Sequence, residues 1–319
     1  MLDVFRERQG ALVGTGLLLA IAAVLIATGE KESLVIGVIT GAAYGLVALG
    51  LVLIYKSSGV FNFAQGEFGT VSVFALYLLH DKVPYGLALA GALVVAIVLG
   101  LLVERLVIRP LFDAPRVILM VATAGVSLLA IAVEIWFGEA QGKPIARAFP
   151  TLDRFTLLGV QISDQRLLLL GVLALLAIVL ALFFNRTNLG LAILGASQEP
   201  TATELVGISV RRLSSFTWGL AALLGGLAGV IAVPEGNSFT PGIVTSAFLI
   251  PAFTAAVLGG MTSLPGAFLG GIIVGVVQAV ATSAPLFDDI PGTPGTLMVF
   301  IVLLAVLAVR PQGLLGRSA

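Results

Sequence analysis

Three polar side chains crowd into the stretch Gly59-Val60-Phe61-Asn62-Phe63-Ala64-Gln65-Gly66-Glu67, which lies between long apolar runs. Asn62 and Gln65 bring amides, and Glu67 brings a carboxylate. At membrane depth such groups cost free energy unless something uses or pairs them. Gly59 and Gly66 bracket them, and glycine lets a backbone bend or pack closely. The three polar residues do not share one face of a regular helix. A helix interrupted at Gly59 and Gly66 would let them converge. Two chemistries fit: they line or gate a path for a polar solute, or they form a buried network in which Glu67 pairs a neighbouring helix. Glu67 is six residues into its apolar run, which at about 1.5 Å per residue sets it roughly 9 Å deep.

The remaining chemistry-bearing residues are few. His80 is the single histidine, next to Asp81 and Lys82, and reads as an interfacial residue. There is no cysteine, hence no disulfide, thiolate or Cys-type metal site. No Gly-x4-Gly-Lys-Ser/Thr loop, Gly-x-Ser-x-Gly elbow or His-Glu-x-x-His motif occurs. No nucleophile and base stand out as a pair. No catalytic residue, metal or cofactor is therefore expected on this chain. Glu104, Arg105 and Arg109 close an apolar run and read as a solvated helix end. Glu134, three residues from the end of the next run, reads as interfacial, and Asp288 and Asp289 as part of a loop.

The elements that must position these residues are membrane helices. The chain is 59% hydrophobic and 11% charged, against roughly 25% charged in soluble domains. Its formal net charge of zero gives no reason to expect nucleic acid. With roughly 20 apolar residues per crossing, ten runs qualify: about 11–28, 34–54, 61–79, 85–106, 117–137, 166–184, 215–233, 245–261, 267–283 and 295–309. The fold class is all-α and polytopic. The last three runs are short and rich in Gly and Pro, as broken or re-entrant helices are. The first run follows Arg6 and Arg8 but exceeds a signal-peptide core, so it reads as a retained helix.

Basic residues set the orientation. Arg6, Arg8, Lys56, Arg105, Arg109, Arg116, Arg186, Arg211, Arg212, Arg310 and Arg317 fall on one side. Lys31, Lys82, Lys143, Arg147, Arg154 and Arg166 fall on the other, mostly in or beside one long loop. Both termini are thus expected in the cytoplasm, with a single transmembrane domain over 1–319. An outer loop would cover about 138–165, and a cytoplasmic loop about 185–214 would form two short helices, the second with Pro200 in its first turn. Glycines four apart, among them Gly41 and Gly45, Gly225 and Gly229, and Gly266 and Gly270, would let helices pack closely.

Five stretches, in order, carry a family resemblance: Gly41 through Gly50, Gly59 through Glu67, Gly190 through Ile208, Gly259 through Ala267, and Arg310 through Gly316. Together they resemble the membrane permease subunits of bacterial branched-chain amino acid type ABC importers. Gln65 stands where many members have His, Leu194 where Arg is usual, and Met261 where a small residue is usual.

The resemblance implies half of a permease core in the bacterial inner membrane. A second homologous or identical permease would complete it. Two cytoplasmic ATPase subunits would hold ATP and magnesium, and an extracytoplasmic protein would deliver the solute. Tyr44, Asn62, Gln65, Gly66 and Glu67 would line or gate the path, at the inner entrance of the third run. Gly190, Ala192, Glu199, Glu204 and Gly207 would meet the ATPase. Solutes of such systems include branched-chain amino acids, amides and organic acids. The competing expectation is a stand-alone channel or secondary transporter for a small amide or organic acid, with Glu67 as its coupling group.

Overall fold

The computed structural model describes residues 31–319 apart from 113, 139–141, 146–153, 158–159, 237, 284–292, 311 and 316–319. The 11–28 run, Asp288 and Asp289 lie outside the described residues. The other nine apolar runs are all helical. The long ones are α1 (Lys31–Ser58), α3 (Tyr85–Val103), α4 (Arg116–Gly138), α5 (Asp164–Arg186), α8 (Val210–Ala232) and α10 (Leu264–Ser283). The shorter are α2 (Gln65–Leu79), α9 (Ile250–Gly259) and α11 (Pro294–Val309). Two small helices, α6 (Asn188–Gln198) and α7 (Pro200–Leu205), fill the 185–214 segment. One hairpin, β1 (Arg154–Leu157) with β2 (Val160–Ser163), adds to the all-α fold within the 138–165 loop.

Helix breaks lie where polar or flexible residues interrupt the apolar pattern. Residues 59–64 are not helical, so α2 starts at Gln65 and not near 61. Its fifteen residues span about 22 Å, short of the roughly 30 Å hydrocarbon core. A π turn, Thr245–Leu249, leads into α9. A second, Glu104–Ile108, ends α3 and runs into a 3₁₀ turn, Arg109–Leu111.

The chain divides into two compact units. The first comprises residues up to Val52, Thr151–Leu173 and Ile250–Ala319. Here α1 lies against α10 at backbone distance: a Cβ on Gly41 would sit 2.5 Å from the Gly271 carbonyl oxygen and 2.8 Å from Ile272 Cα. At Gly45 the nearest atom would be 3.6 Å away, ordinary contact. The α9–α10 hairpin closes Gly259 on Gly266 and Ala255 on Gly270. The residues after α11 return to it: Leu314 N–H donates to the Leu258 carbonyl (2.7 Å) and Leu315 N–H to the Gly259 carbonyl (3.0 Å). The Gly259–Ala267 and Arg310–Leu315 stretches thus form one joint.

The second unit comprises Leu53–Pro150 and Ala174–Leu249. Small residues one turn apart, Ala88, Ala92, Ala96 and Gly100, form the buried face of α3. They meet α8, where a Cβ on Gly100 would sit 2.8 Å from the Trp218 carbonyl oxygen. On the other side α8 meets α2, with a Cβ on Gly229 reaching within 2.9 Å of Gly69 Cα. Elsewhere large apolar side chains, among them Leu128, Leu129, Trp136 and Phe137 of α4, point outward, as a lipid-facing surface requires.

The solvated helix end expected at Glu104 is instead a buried lock. Glu104 is 2% exposed. Arg109 donates to it from Nη2 at 2.9 Å and from Nε at 3.3 Å. Ser215 Oγ on α8 donates to Glu104 Oε2 (2.9 Å) and accepts from Arg109 (2.6 Å). The π turn explains the pairing, because its wider i→i+5 spacing stacks position 109 over position 104. Burial then favours satisfying the carboxylate within the protein.

Candidate functional site

The polar stretch is built from the end of one helix and the start of another. α1 stops because Gly59 takes φ +66°, with its N–H bonded to the Tyr55 carbonyl at 2.8 Å. This left-handed geometry is the usual glycine helix stop. Ser57 and Ser58 hydroxyls both turn back to the Ile54 carbonyl. Asn62 then organises the next start: its Oδ1 accepts from Ala64 N–H (3.0 Å), an Asx turn leading into α2. A Cβ on Gly66 would sit 2.5 Å from Thr245 Cα, so the first turn of α2 rests directly on the π-turn segment.

The polar side chains form two centres, not one. Asn62 Nδ2 donates to Gln65 Oε1 (3.4 Å), and Gln65 Nε2 donates to the Ala221 carbonyl of α8 (2.9 Å). Glu67 points the other way, to α4. Ser127 Oγ donates to Glu67 Oε1 at 3.4 Å, and Glu134 Oε2 accepts from Gly242 N–H at 2.9 Å. Glu134 is 1% exposed, so it is a buried partner of this centre and not an interfacial residue. Thr70 Oγ1 accepts from Val244 N–H (3.2 Å), pinning the same segment.

Depth follows from α4. Phe63 N–H donates to Thr123 Oγ1 (3.1 Å), while Glu67 meets Ser127, the middle residue of Arg116–Gly138. Glu67 therefore lies level with the centre of a full crossing, about 17 Å from either end. The shallow position near the inner entrance read from sequence is corrected, because residues 59–64 are not part of a helix that could be counted from its end. Irregular backbone at this depth is tolerated where protein shields it, and here Asn62 is 1%, Gln65 0% and Glu67 1% exposed. Phe63 is the exposed side chain of the break, at 42%.

Tyr44 belongs to the first unit, where it is buried and hydrogen-bonds with the Gln278 side chain of α10. Gly190 is buried where α6 folds back on α5, with Thr187 Oγ1 capping α6 by accepting from Gly190 N–H (3.0 Å). Ala192 is half-buried, while Glu199, Glu204 and Gly207 are exposed. Leu191, Leu205 and Val206 are exposed beside them, leaving an apolar surface studded with acids. Gly225 faces Gln65, where a Cβ would sit 3.1 Å from Gln65 Nε2. His80 pairs with Asp81 at 3.1 Å, and among the described residues no cluster of metal-ligating side chains occurs.

The sequence reading set Glu134 at the interface, although a signal for its burial was available. Thr123, Ser127 and Glu134 fall at i, i+4 and i+11, one face of a helix. That polar stripe on an apolar helix is the counterpart of Glu67.

The family model described as branched-chain amino acid transport system / permease component matches residues 33–309. The chain belongs to this family. The match runs from the first turn of α1 to the last residue of α11. This family member is 33% identical over 301 residues to the high-affinity branched-chain amino acid transport system permease protein BraD of Pseudomonas aeruginosa, covering 90% of this chain and 95% of the relative. It is 30% identical over 302 residues to the probable branched-chain amino acid transport permease protein LivH of Methanocaldococcus jannaschii, with 90% and 93% covered. It is 28% identical over 303 residues to LivH of Escherichia coli, with 88% and 94% covered. Among the described residues, six helices long and apolar enough to cross a membrane accord with a multi-pass inner-membrane protein.

Proposed function

We propose that the chain is one permease subunit of an ATP-driven importer carrying branched-chain or related amino acids by alternating access. The observation that supports this most is the family match across 33–309. A second permease subunit completes the path. Two cytoplasmic ATPase subunits hold ATP and magnesium and perform the hydrolysis, and an extracytoplasmic binding protein selects the solute. Both termini and the α6–α7 segment face the cytoplasm, where Glu199, Glu204 and the exposed leucines meet the ATPase. Nucleotide-driven closure of the ATPase pair shifts the two-state equilibrium, because nucleotide binds the two states differently.

The helix break supplies the gate. Asn62, Gln65, Gly66 and Glu67 form its internal frame, and Phe63 presents the surface that an apolar amino-acid side chain passes. Tyr44 keeps its proposed place on the path, from the first unit. The buried frame suits a closed state: nothing at Asn62, Gln65 or Glu67 is open to water.

The test is uptake in vesicles containing the chain with its partner permease, with and without ATPase subunits. Uptake requires the ATPase, ATP and binding protein together. Gradient-driven uptake by the chain alone overturns the importer in favour of a secondary transporter. Recovery of no ATPase subunit on affinity purification from native membranes overturns the proposed assembly.

A further inference from the structure

Two carboxyl oxygens in the second unit are buried without a hydrogen bond: Glu67 Oε2 and Glu134 Oε1. Their sister oxygens are used, by Ser127 Oγ–H and Gly242 N–H respectively. The two carboxyl groups converge on Gly242, whose N–H donates to Glu134 Oε2 (2.9 Å) and where a Cβ would sit 3.8 Å from Glu67 Oε1, and they face each other. The other groups facing the pair are the Thr70 and Thr245 hydroxyls, which are neutral, and among the described residues no Lys or Arg faces it. The charged residues of the neighbouring helices sit at helix ends: Glu104, Arg105 and Arg109 after α3, Arg116 at the start of α4, Arg211 and Arg212 at the start of α8, and Glu235 in the turn after α8.

A full negative charge on each carboxyl would place two like charges in a dry site with no compensating cation, and such pairs do not both stay ionised. The Thr245 hydroxyl, also buried without a hydrogen bond, faces Glu67 and can serve one carboxyl oxygen, but being neutral it does not remove the like charge. One added proton removes that charge and supplies a donor between the two carboxyls.

We propose that Glu67 and Glu134 bind one proton between them, forming a carboxylic acid–carboxylate bridge that ties the first turn of α2 to α4 at mid-membrane. The proton comes from water and sits on one carboxyl, whose O–H donates to the other. The pair then carries one negative charge, and Ser127 and Gly242 fix the two outer oxygens. The bridge exists only while α2 and α4 are apposed. Any movement that parts them must release the proton or leave it on one carboxyl. The site thus adds a proton-binding step to the chain, independent of which solute it carries.

Infrared spectroscopy of the purified full chain at neutral pH tests this without partners or solute. The wild type shows a protonated-carboxyl band. The band is lost in Glu67→Gln and lost in Glu134→Gln, because the amide now donates and the remaining carboxylate needs no proton. Ser127→Ala keeps both carboxyl groups but removes a donor to Glu67, so it shifts the band. This variant keeps the test open if the Gln variants fail to fold. A band that neither Gln variant removes, or that Ser127→Ala leaves unshifted, overturns the proposal. So does the absence of the band from the wild type, and a sodium- or potassium-dependent rise in the thermal midpoint then assigns the site to a metal cation.

Discussion

Gln65 donates to the Ala221 carbonyl from a site that solvent does not reach. Its own Oε1 accepts from Asn62, so one amide links the helix break to α8. Replacing it with Leu leaves the Asn62 amide buried without an acceptor, a loss of about 1–3 kcal/mol. The expected outcome for Gln65→Leu is a lower thermal midpoint, with Gln65→His milder because imidazole can still donate towards Ala221. The Glu104 lock makes a second residue-scale prediction. Arg109→Met strands a buried carboxylate at a cost of about 3 kcal/mol, and adding Glu104→Gln recovers part of it. A double-mutant cycle on thermal stability measures the coupling, and strictly additive losses would refute the lock. At this scale, Asn62, Gln65 and Glu67 were legible as polar groups amid apolar residues. Their division into two centres was not, because it depends on which neighbour each side chain meets. Glu104 and Glu134 were misplaced because position from a helix end says nothing about what packs against that end.

The helices themselves were legible from runs of apolar residues, since hydrocarbon leaves the backbone few options. Their interruptions were less so. Gly59 and Asn62 announced the break before α2, but the π turns at 104–108 and 245–249 carry no comparable signal. The β1–β2 hairpin was also missed, because the segment Phe155-Thr156-Leu157-Leu158 is amphipathic on a helix as readily as on a strand. Glycine spacing shows the limit of periodicity most clearly. Gly41 and Gly45 are indistinguishable in sequence, yet of the two only Gly41 would bring an added Cβ within 3 Å of the α10 backbone. Gly41→Ala should therefore force α1 from α10 and cost about 1–3 kcal/mol. Gly45→Ala should be neutral or stabilising by up to about 1 kcal/mol, since Ala is the better helix former. Comparing thermal midpoints of the two variants checks this, and equal loss from both would contradict the packing described.

For the whole molecule, the α6–α7 segment presents Glu199 and Glu204 to solvent beside exposed Leu191, Leu205 and Val206. Reversing both charges leaves the packed helices untouched. Glu199→Lys with Glu204→Lys is expected to lower transport-coupled ATP hydrolysis several-fold while membrane insertion and thermal stability stay unchanged. Hydrolysis at the wild-type rate would remove this segment from the coupling. The family resemblance was legible across the chain because five stretches kept their order. The meeting of two of them was not, because Gly259 and Leu315 are brought together only by the return of the chain after α11. The first unit draws on both ends of the chain, which has a consequence for its biosynthesis. Gly41 leaves the ribosome roughly 230 residues before Gly271, the backbone it packs on. At about 5–20 residues per second, α1 waits about 10–50 s in the bilayer with its glycine face uncovered. During that interval a chaperone, lipid or insertase must shelter the face, and translation pauses there would lengthen the exposure.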